Sequence, residues 1–327
     1  MPSRMDGHFH FIWYNDDMPD HGHTPVLLDS VLQLLNPQPG EIVLDCTVGR
    51  GGHSAAFADA VGPEGKIIGF DLDPENIKYS SQRLESSGVP FLGIHDSFVR
   101  APGRLVELGV RADVIFADLG FSTRQMDNPD RGFSFQTDGP LDMRLNPASP
   151  VTAADLIASM SERELAAIIA ENGEEPLAGK IARKLVQNRR TLPIQTTARL
   201  AQLVEEAYGS RARTSRLHPA TRTFMALRIA VNDELAALRS LLDDISRGAE
   251  RIESDGWINA AARVGVISFH SLEDRLVKQA FATLEKRGKV SRLTKRPITA
   301  GQEEVQANPR ARSAKLRVAR MAHHSEV

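Results

Sequence analysis

One cysteine, Cys46, stands in a chain of 327 residues. A lone thiol cannot close an internal disulfide, so a reducing cytoplasm is the expected compartment. Nowhere do about 18 apolar residues run together, and the start of the chain lacks the apolar stretch of a signal peptide; neither a membrane span nor export is expected. Three signatures are also missing: the G-x-G-x-x-G of dinucleotide binders, the G-K-[ST] of phosphate-binding loops and the G-x-S-x-G of serine hydrolases. The last absence argues against Ser-His-Asp hydrolysis. Net charge is only −2, too near neutral for a protein dominated by non-specific nucleic-acid binding. No internal repeat or low-complexity tract is present.

What is there is ordinary in bulk. Hydrophobic residues at 41% and charged residues at 25% fit a soluble globular protein of one large or two modest domains. His8, His10, His21 and His23 surround Phe11-Ile12-Trp13-Tyr14 near the start. No cysteine or carboxylate pattern fixes a geometry there, so residues 1–22 read as a flexible tail and no metal is expected.

Strands and helices then alternate. Glu41–Asp45 is a short apolar strand, followed by a glycine turn and a helix over Ser54–Val61. Lys66–Asp71 is the next strand, and Asp73-Pro74 starts a helix running to Glu85, with Asp73 as N-cap and proline in the first turn. Val89–Ile94 and Asp113–Ala117 supply two more strands. Strands separated by helices of this length imply a parallel sheet. From Thr152 to Tyr208 no convincing strand occurs, while Ser161-Glu-Arg-Glu164 forms a capping box and Thr196/Thr197 start a further helix. A long helix over Thr221–Leu242 and a strand over Arg263–Phe269 resume the alternation. The reading is an α/β sheet domain over 23–140 and 217–327, interrupted by an all-helical insert over 141–216.

The most informative turn is Asp45-Cys-Thr-Val-Gly49-Arg-Gly51-Gly52-His53-Ser54. It joins a strand to a helix, where glycines let a ligand approach the backbone closely. Asp71, ending the second strand, can accept hydrogen bonds from both hydroxyls of a ribose. That much suits a methyltransferase or a nicotinamide enzyme alike. Phe98 follows the third strand and can cover an adenine face or simply pack in the core. Asp118-Leu-Gly120 ends the fourth strand, at the crevice where open α/β sheets bind ligands.

Taken together, several segments resemble the MraW-type ribosomal RNA small subunit methyltransferase H family. They are His23-Thr-Pro-Val-Leu-Leu28, the Asp45–Ser54 turn, Asp118-Leu-Gly120, Arg131-Gly-Phe-Ser-Phe135, Asp138–Arg144 and Gly173-Glu-Glu175. The likeness continues through His218–Phe224, Val231–Leu235, Ser268–Arg275 and Asn308–Ser313, in order along the chain. The resemblance implies a Rossmann-like S-adenosylmethionine-dependent methyltransferase with an inserted helical domain. It implies methyl transfer to N4 of a cytidine in the decoding region of small-subunit (16S) ribosomal RNA. Carried over residue by residue, Gly51, Gly52, His53, Asp71, Phe98, Asp118 and Gln125 would contact the cofactor. The chain departs from the family at Phe121-Ser122-Thr123, where Val-Ser-Ser is usual, and at Met225, where Gln is common. Asp255–Arg263 replaces a Pro-Gly-Gly-Arg turn, and a longer or differently shaped loop is expected there.

A cytosine amino group is a weak nucleophile, so the site must align it and offer acceptors that strengthen as charge develops on nitrogen. Asp118 and the carbonyls of Leu119–Phe121 are the candidates, with His270 and Asp142 as further catalytic candidates beside Arg144. The target base must leave its stack to reach a buried methyl donor, and Phe121, Phe133 and Phe135 could receive it. From Lys286 to Arg320 basic residues outnumber acids, which are only Glu303 and Glu304. That segment, through Arg310 and Arg312, and the insert, through Arg189 and Arg190, are the expected RNA-phosphate contacts. Ala314, Leu316 and Val318 alternate with Lys315 and Arg317, which suggests a last strand with one face in the core and the cations outside. The expected partner is small-subunit ribosomal RNA within its subunit, with a homodimer left open and no membrane.

Overall fold

The computed structural model describes residues 25–215, 217–252 and 256–322. The segment 1–22, read as a tail, lies outside the described residues. Seven strands form one sheet: β1 (Ile42–Asp45), β2 (Lys66–Asp71), β3 (Phe91–His95), β4 (Ala112–Asp118), β5 (Ile258–Ser268), β6 (Val290–Arg292) and β7 (Lys315–Met321). Their order is β3-β2-β1-β4-β5-β7-β6. The first five are parallel, while β7 runs antiparallel to both its neighbours. The chain winds outward from β1 to β3 and then returns to β4, so the carboxyl ends of β1 and β4 border a switch-point crevice.

Helices cover both faces, as a parallel sheet demands. Alternate strand residues point to opposite sides. Val114 and Phe116 face a core built with α1 (Leu28–Leu35) and α2 (Gly52–Val61). Ile115 and Ala117 face the other side with α4 (Ala101–Glu107), α11 (Glu234–Glu250) and α12 (Ser271–Lys286). Between β2 and β3 runs α3 (Pro74–Glu85), whose N-cap Asp73 accepts from the Glu75 N–H.

A third core holds α6 (Ala153–Ser159), α7 (Glu162–Gly173), α8 (Ala178–Arg189), α9 (Thr197–Tyr208) and α10 (Ala220–Val231) together. Capping boxes at Thr152 and Ser161 open α6 and α7. This core gathers residues from Phe133 to Leu227, so its packing reaches past 141–216 at both ends. The remaining short helices are α5 (Thr123–Asp127) and α13 (Gln302–Ala307).

Three expectations need correction. The single helix over Thr221–Leu242 is two, α10 and α11. The break falls where the Asn232 amide turns to the loop, donating to Met143 O at 2.7 Å and accepting from Leu145 N at 2.7 Å. Asp233 takes a left-handed φ of 50° beside it. The two halves serve different cores, yet their apolar spacing runs on without a gap. The expected loop before the fifth strand is largely strand. β5 already pairs at Ile258 and absorbs extra residues by a register shift against β4, with Ala261 at φ 62°. Finally, β7 lies inside the sheet, because the short strand β6 covers its outer edge. The Arg317 side chain stands on the face covered by α12 and is buried against Asp274 of that helix, at 2.6 Å, rather than held outside.

Candidate active site

The turn after β1 is built on carboxylates and close backbone approach. Asp45 is buried and accepts from Ser54 Oγ at 2.6 Å and Thr47 N at 3.1 Å. Gly51 has φ +73°, and a Cβ there would lie 3.2 Å from Ser80 Cβ; one on Gly52 would meet Pro25 Cγ at 2.7 Å. Only glycine fits both. Asp71 Oδ2 accepts from Gly49 N at 2.8 Å, tying β2 to the turn, while Oδ1 accepts from Asp73 N and Asn76 Nδ2.

His53 supports this turn from below. Its Nε2 lies 3.0 Å from the Val26 carbonyl and its ring packs 4.7 Å from Phe116. Burial pushes the imidazole down to about 4, so it is neutral and Nε2 carries the proton that Val26 accepts. Phe98 opens the short 3-10 turn after β3, half-buried against the sheet core. Gln125 is buried and clasped, donating from Nε2 to Asp73 Oδ2 at 2.8 Å and accepting from Ser122 N at 2.9 Å.

Asp73 is a hub that the sequence showed only as an N-cap. Besides Gln125 it takes Arg131 Nη1 at 2.8 Å, and Arg131 reaches on to the carbonyls of Arg144 and Leu145. The Asp-Pro signal marked one oxygen's duty; the other's partners lie more than 50 residues away and left no local trace.

Asp118 ends β4 with its N–H on Thr47 Oγ1 at 2.6 Å. Its Oδ1 is buried without a hydrogen-bond partner among the described residues. Burial raises the carboxyl to about 7, opposed by Arg310 and reinforced by Asp45 and Glu273. Next to it, Phe121 stacks on Phe133 at 4.9 Å and lies under the Arg228 guanidinium at 4.8 Å. Those faces are spent on each other. Phe135 stacks on His218 and meets Phe224 edge-on.

His270 caps the start of α12. Its Nε2 lies 3.2 Å from Glu273 Oε1, and both ring nitrogens are buried with no hydrogen-bond partner among the described residues. Glu273, which sequence reasoning missed, accepts from Phe269 N at 2.8 Å and so fixes the β5 exit. Arg228 grips Glu234 with two bonds of 2.8 Å and supplies positive charge to this buried group, Glu273 included. Asp142 is already engaged: Arg144 donates to it from N, Nε and Nη2 at 2.6–2.9 Å. Among the expected phosphate contacts, Arg190 and Arg312 are exposed. Arg189 instead caps helix α6, donating to Ile157 O and Met160 O, and Arg310 donates to Phe121 O.

Asp45, Asp71 and Asp118 thus stand at three neighbouring strand ends, each pushed up by burial to about 6, 6 and 7. Such a group favours a cationic ligand that also offers hydroxyls, which fits a sulfonium nucleoside. A Rossmann-like sheet with this glycine turn and these strand-end carboxylates defines an S-adenosylmethionine-dependent methyltransferase. Within that class, the chain belongs to the MraW methylase family, whose model matches residues 20–322. It is 45% identical over 313 residues to the ribosomal RNA small subunit methyltransferase H of Geobacter sulfurreducens, covering 91% of this chain and 98% of that protein. The protein of the same name from Geobacter sp. strain M21 is 44% identical over 317 residues, covering 92% and 99%. That from Solidesulfovibrio magneticus is 45% identical over 315 residues, covering 91% and 94%.

One expectation about cofactor binding follows here. Asp71→Ala removes a charged acceptor beside the turn and releases Gly49 N, so S-adenosylmethionine binding should weaken by about 1.5–3 kcal/mol. Calorimetry on the folded variant measures it, and unchanged affinity would remove Asp71 from the site.

Proposed function

We propose that this chain uses S-adenosylmethionine to methylate N4 of a specific cytidine in the decoding region of small-subunit ribosomal RNA. The observation that carries the reading is Asp118 Oδ1, a buried acceptor at the switch-point crevice with no hydrogen-bond partner among the described residues. An exocyclic amino group supplies the N–H that such an oxygen lacks. Ribosomal RNA as the substrate class rests on the relatives named above.

When bound, the cofactor supplies a methyl group activated on a sulfonium. The chain's own residues do the rest. Asp118 orients the amino group through one N–H and strengthens that bond as nitrogen becomes positive. It then holds the released proton at Oδ1 before solvent takes it. His53, neutral and fixed by Val26, keeps the far side of the Asp118 carboxylate at 3.7 Å without adding charge. His270, with its buried ring nitrogens lacking a hydrogen-bond partner among the described residues and its ring set beside Glu273, is the candidate for orienting the base. Asp142, bound by Arg144, shapes the neighbouring loop.

The test is incubation with labelled S-adenosylmethionine and small ribosomal subunits lacking the modification, followed by nucleoside analysis. N4-methylcytidine is expected. Label on a ring carbon or a ribose oxygen would overturn the assignment.

RNA contact is assigned to the exposed cations. Reversing Arg190 and Arg312 to Glu should weaken RNA binding and flatten its salt dependence while leaving cofactor affinity intact. Arg189→Glu should instead lower the melting temperature, because it strips the carbonyl end of α6 of its donor. RNA affinity that survives the double reversal at every salt concentration would place the RNA elsewhere.

A further inference from the structure

The C-terminal segment does not trail from the fold. After α13 it enters a 3-10 turn over Pro309–Ser313, where Asn308 accepts from Arg310 N at 3.2 Å. Ala311 and Ala314 are fully buried and anchor the turn on the core beneath α1 and α2. A second tie comes from Glu304, which accepts from Leu27 N at 2.6 Å, next to the Val26 carbonyl that holds His53. With both ends fixed, the Arg310 side chain is aimed into the crevice. Its Nη2 donates to the Phe121 carbonyl and its guanidinium lies 5.6 Å from the Phe121 ring centre.

We propose that Arg310 is a positioning residue of the reaction site, holding the Phe121 carbonyl at the exit of β4 and facing the Asp118 carboxylate with positive charge. The proposal rests on the reading of Asp118 as the amine's acceptor. The groups around Asp118 make the need plain. Asp45 of β1 and Glu273 of α12 add negative charge to its surroundings, neutral His53 of α2 lies 3.7 Å from it, and Thr47 of the turn takes only its backbone N–H. Arg310 is the cation among them. Two like charges and burial all oppose an ionised Asp118, and a neutral carboxyl could neither stabilise a developing ammonium nor take its proton. The same arginine donates to the Phe121 carbonyl, one of the backbone acceptors proposed from sequence, and so commits one of its two lone pairs to a structural bond.

The test uses the full chain with Arg310→Gln, Arg310→Lys and Arg310→Met, the last filling the apolar volume against Phe121. In cofactor-free protein, carboxyl NMR should show the Asp118 midpoint rising by about one pH unit or more in the Gln and Met variants. Lysine should restore most of it. The slope of RNA affinity against salt should stay as in the parent, since an arginine facing a carboxylate releases no phosphate counterion. An Asp118 midpoint that does not move in a folded Gln or Met variant overturns the proposal. So does a salt slope that falls by about one, which would make Arg310 a phosphate contact. If the midpoint moves but the acid limb of the rate profile does not follow, Arg310 keeps its role and Asp118 loses its catalytic one.

Discussion

Asp118→Asn is expected to make the cofactor-free protein more stable and the enzyme nearly inactive. Methyl transfer at saturating cofactor should fall about 10²–10⁴-fold, because an amide neither takes a proton nor strengthens its bond to a developing cation. The stability gain has the opposite origin. Burial lifts the Asp118 carboxyl from 3.8 to about 7, so the folded chain binds a proton that the unfolded chain releases above pH 4. Stability contributed by this group is therefore lost as pH rises from about 4 through 7, and at pH 8 the ionised group costs roughly 2–4 kcal/mol. The Asn variant lacks that slope. Thermal melts of both proteins between pH 5 and 8 should diverge as pH increases. In the parent enzyme kcat/KM should rise with pH up to about 7, the limb reporting the free enzyme. A variant that is inactive but no more stable at pH 8 would mean that the carboxylate is compensated in a way the geometry does not display.

Asp73→Ala carries the largest expected loss of stability. The carboxylate serves as N-cap of α3, partner of Gln125 and counter-charge to Arg131, whose side chain is only 17% exposed. Removing it strands a nearly buried guanidinium, at about 3–5 kcal/mol, with roughly 1 kcal/mol more from the lost cap. The loop carrying Asp142 and Arg144 should loosen as well, since Arg131 holds the Arg144 and Leu145 carbonyls. Adding Arg131→Met to the same variant should recover most of the loss, and denaturant titration of the four members of this cycle measures the coupling. A single variant losing under about 1 kcal/mol would show that Arg131 finds water instead.

What could be foreseen from sequence separates by range. β1, β2 and β4 were readable because each contains a short apolar run that ends in aspartate, and α3, α7 and α9 because their caps are adjacent in sequence. β6 escaped notice, since three residues carry no period. The break at Asn232 escaped because its amide bonds lie almost 90 residues upstream. Charged partners were the least readable feature. Basic side chains default to solvent, so Arg189, Arg310 and Arg317 read as surface cations. They lie instead on a helix end, in the crevice and beside Asp274. Glu273 lay within a segment of the family resemblance and Arg228 outside them all, but neither sits in a spacing that chemistry requires.

The placement of β7 between β5 and β6 also bears on how the molecule is made. Five parallel strands are complete once Ser268 has been synthesised, but the hydrogen-bonding edge of β5 then waits for residues 315–321. An open, apolar strand edge is a template for pairing with other chains. A nascent or prematurely terminated polypeptide ending before Lys315 would thus present that edge, and Arg317 would be missing opposite Asp274. Maturation of the crevice and closure of the sheet depend on the same late segment, so a truncated product should be sticky as well as inert.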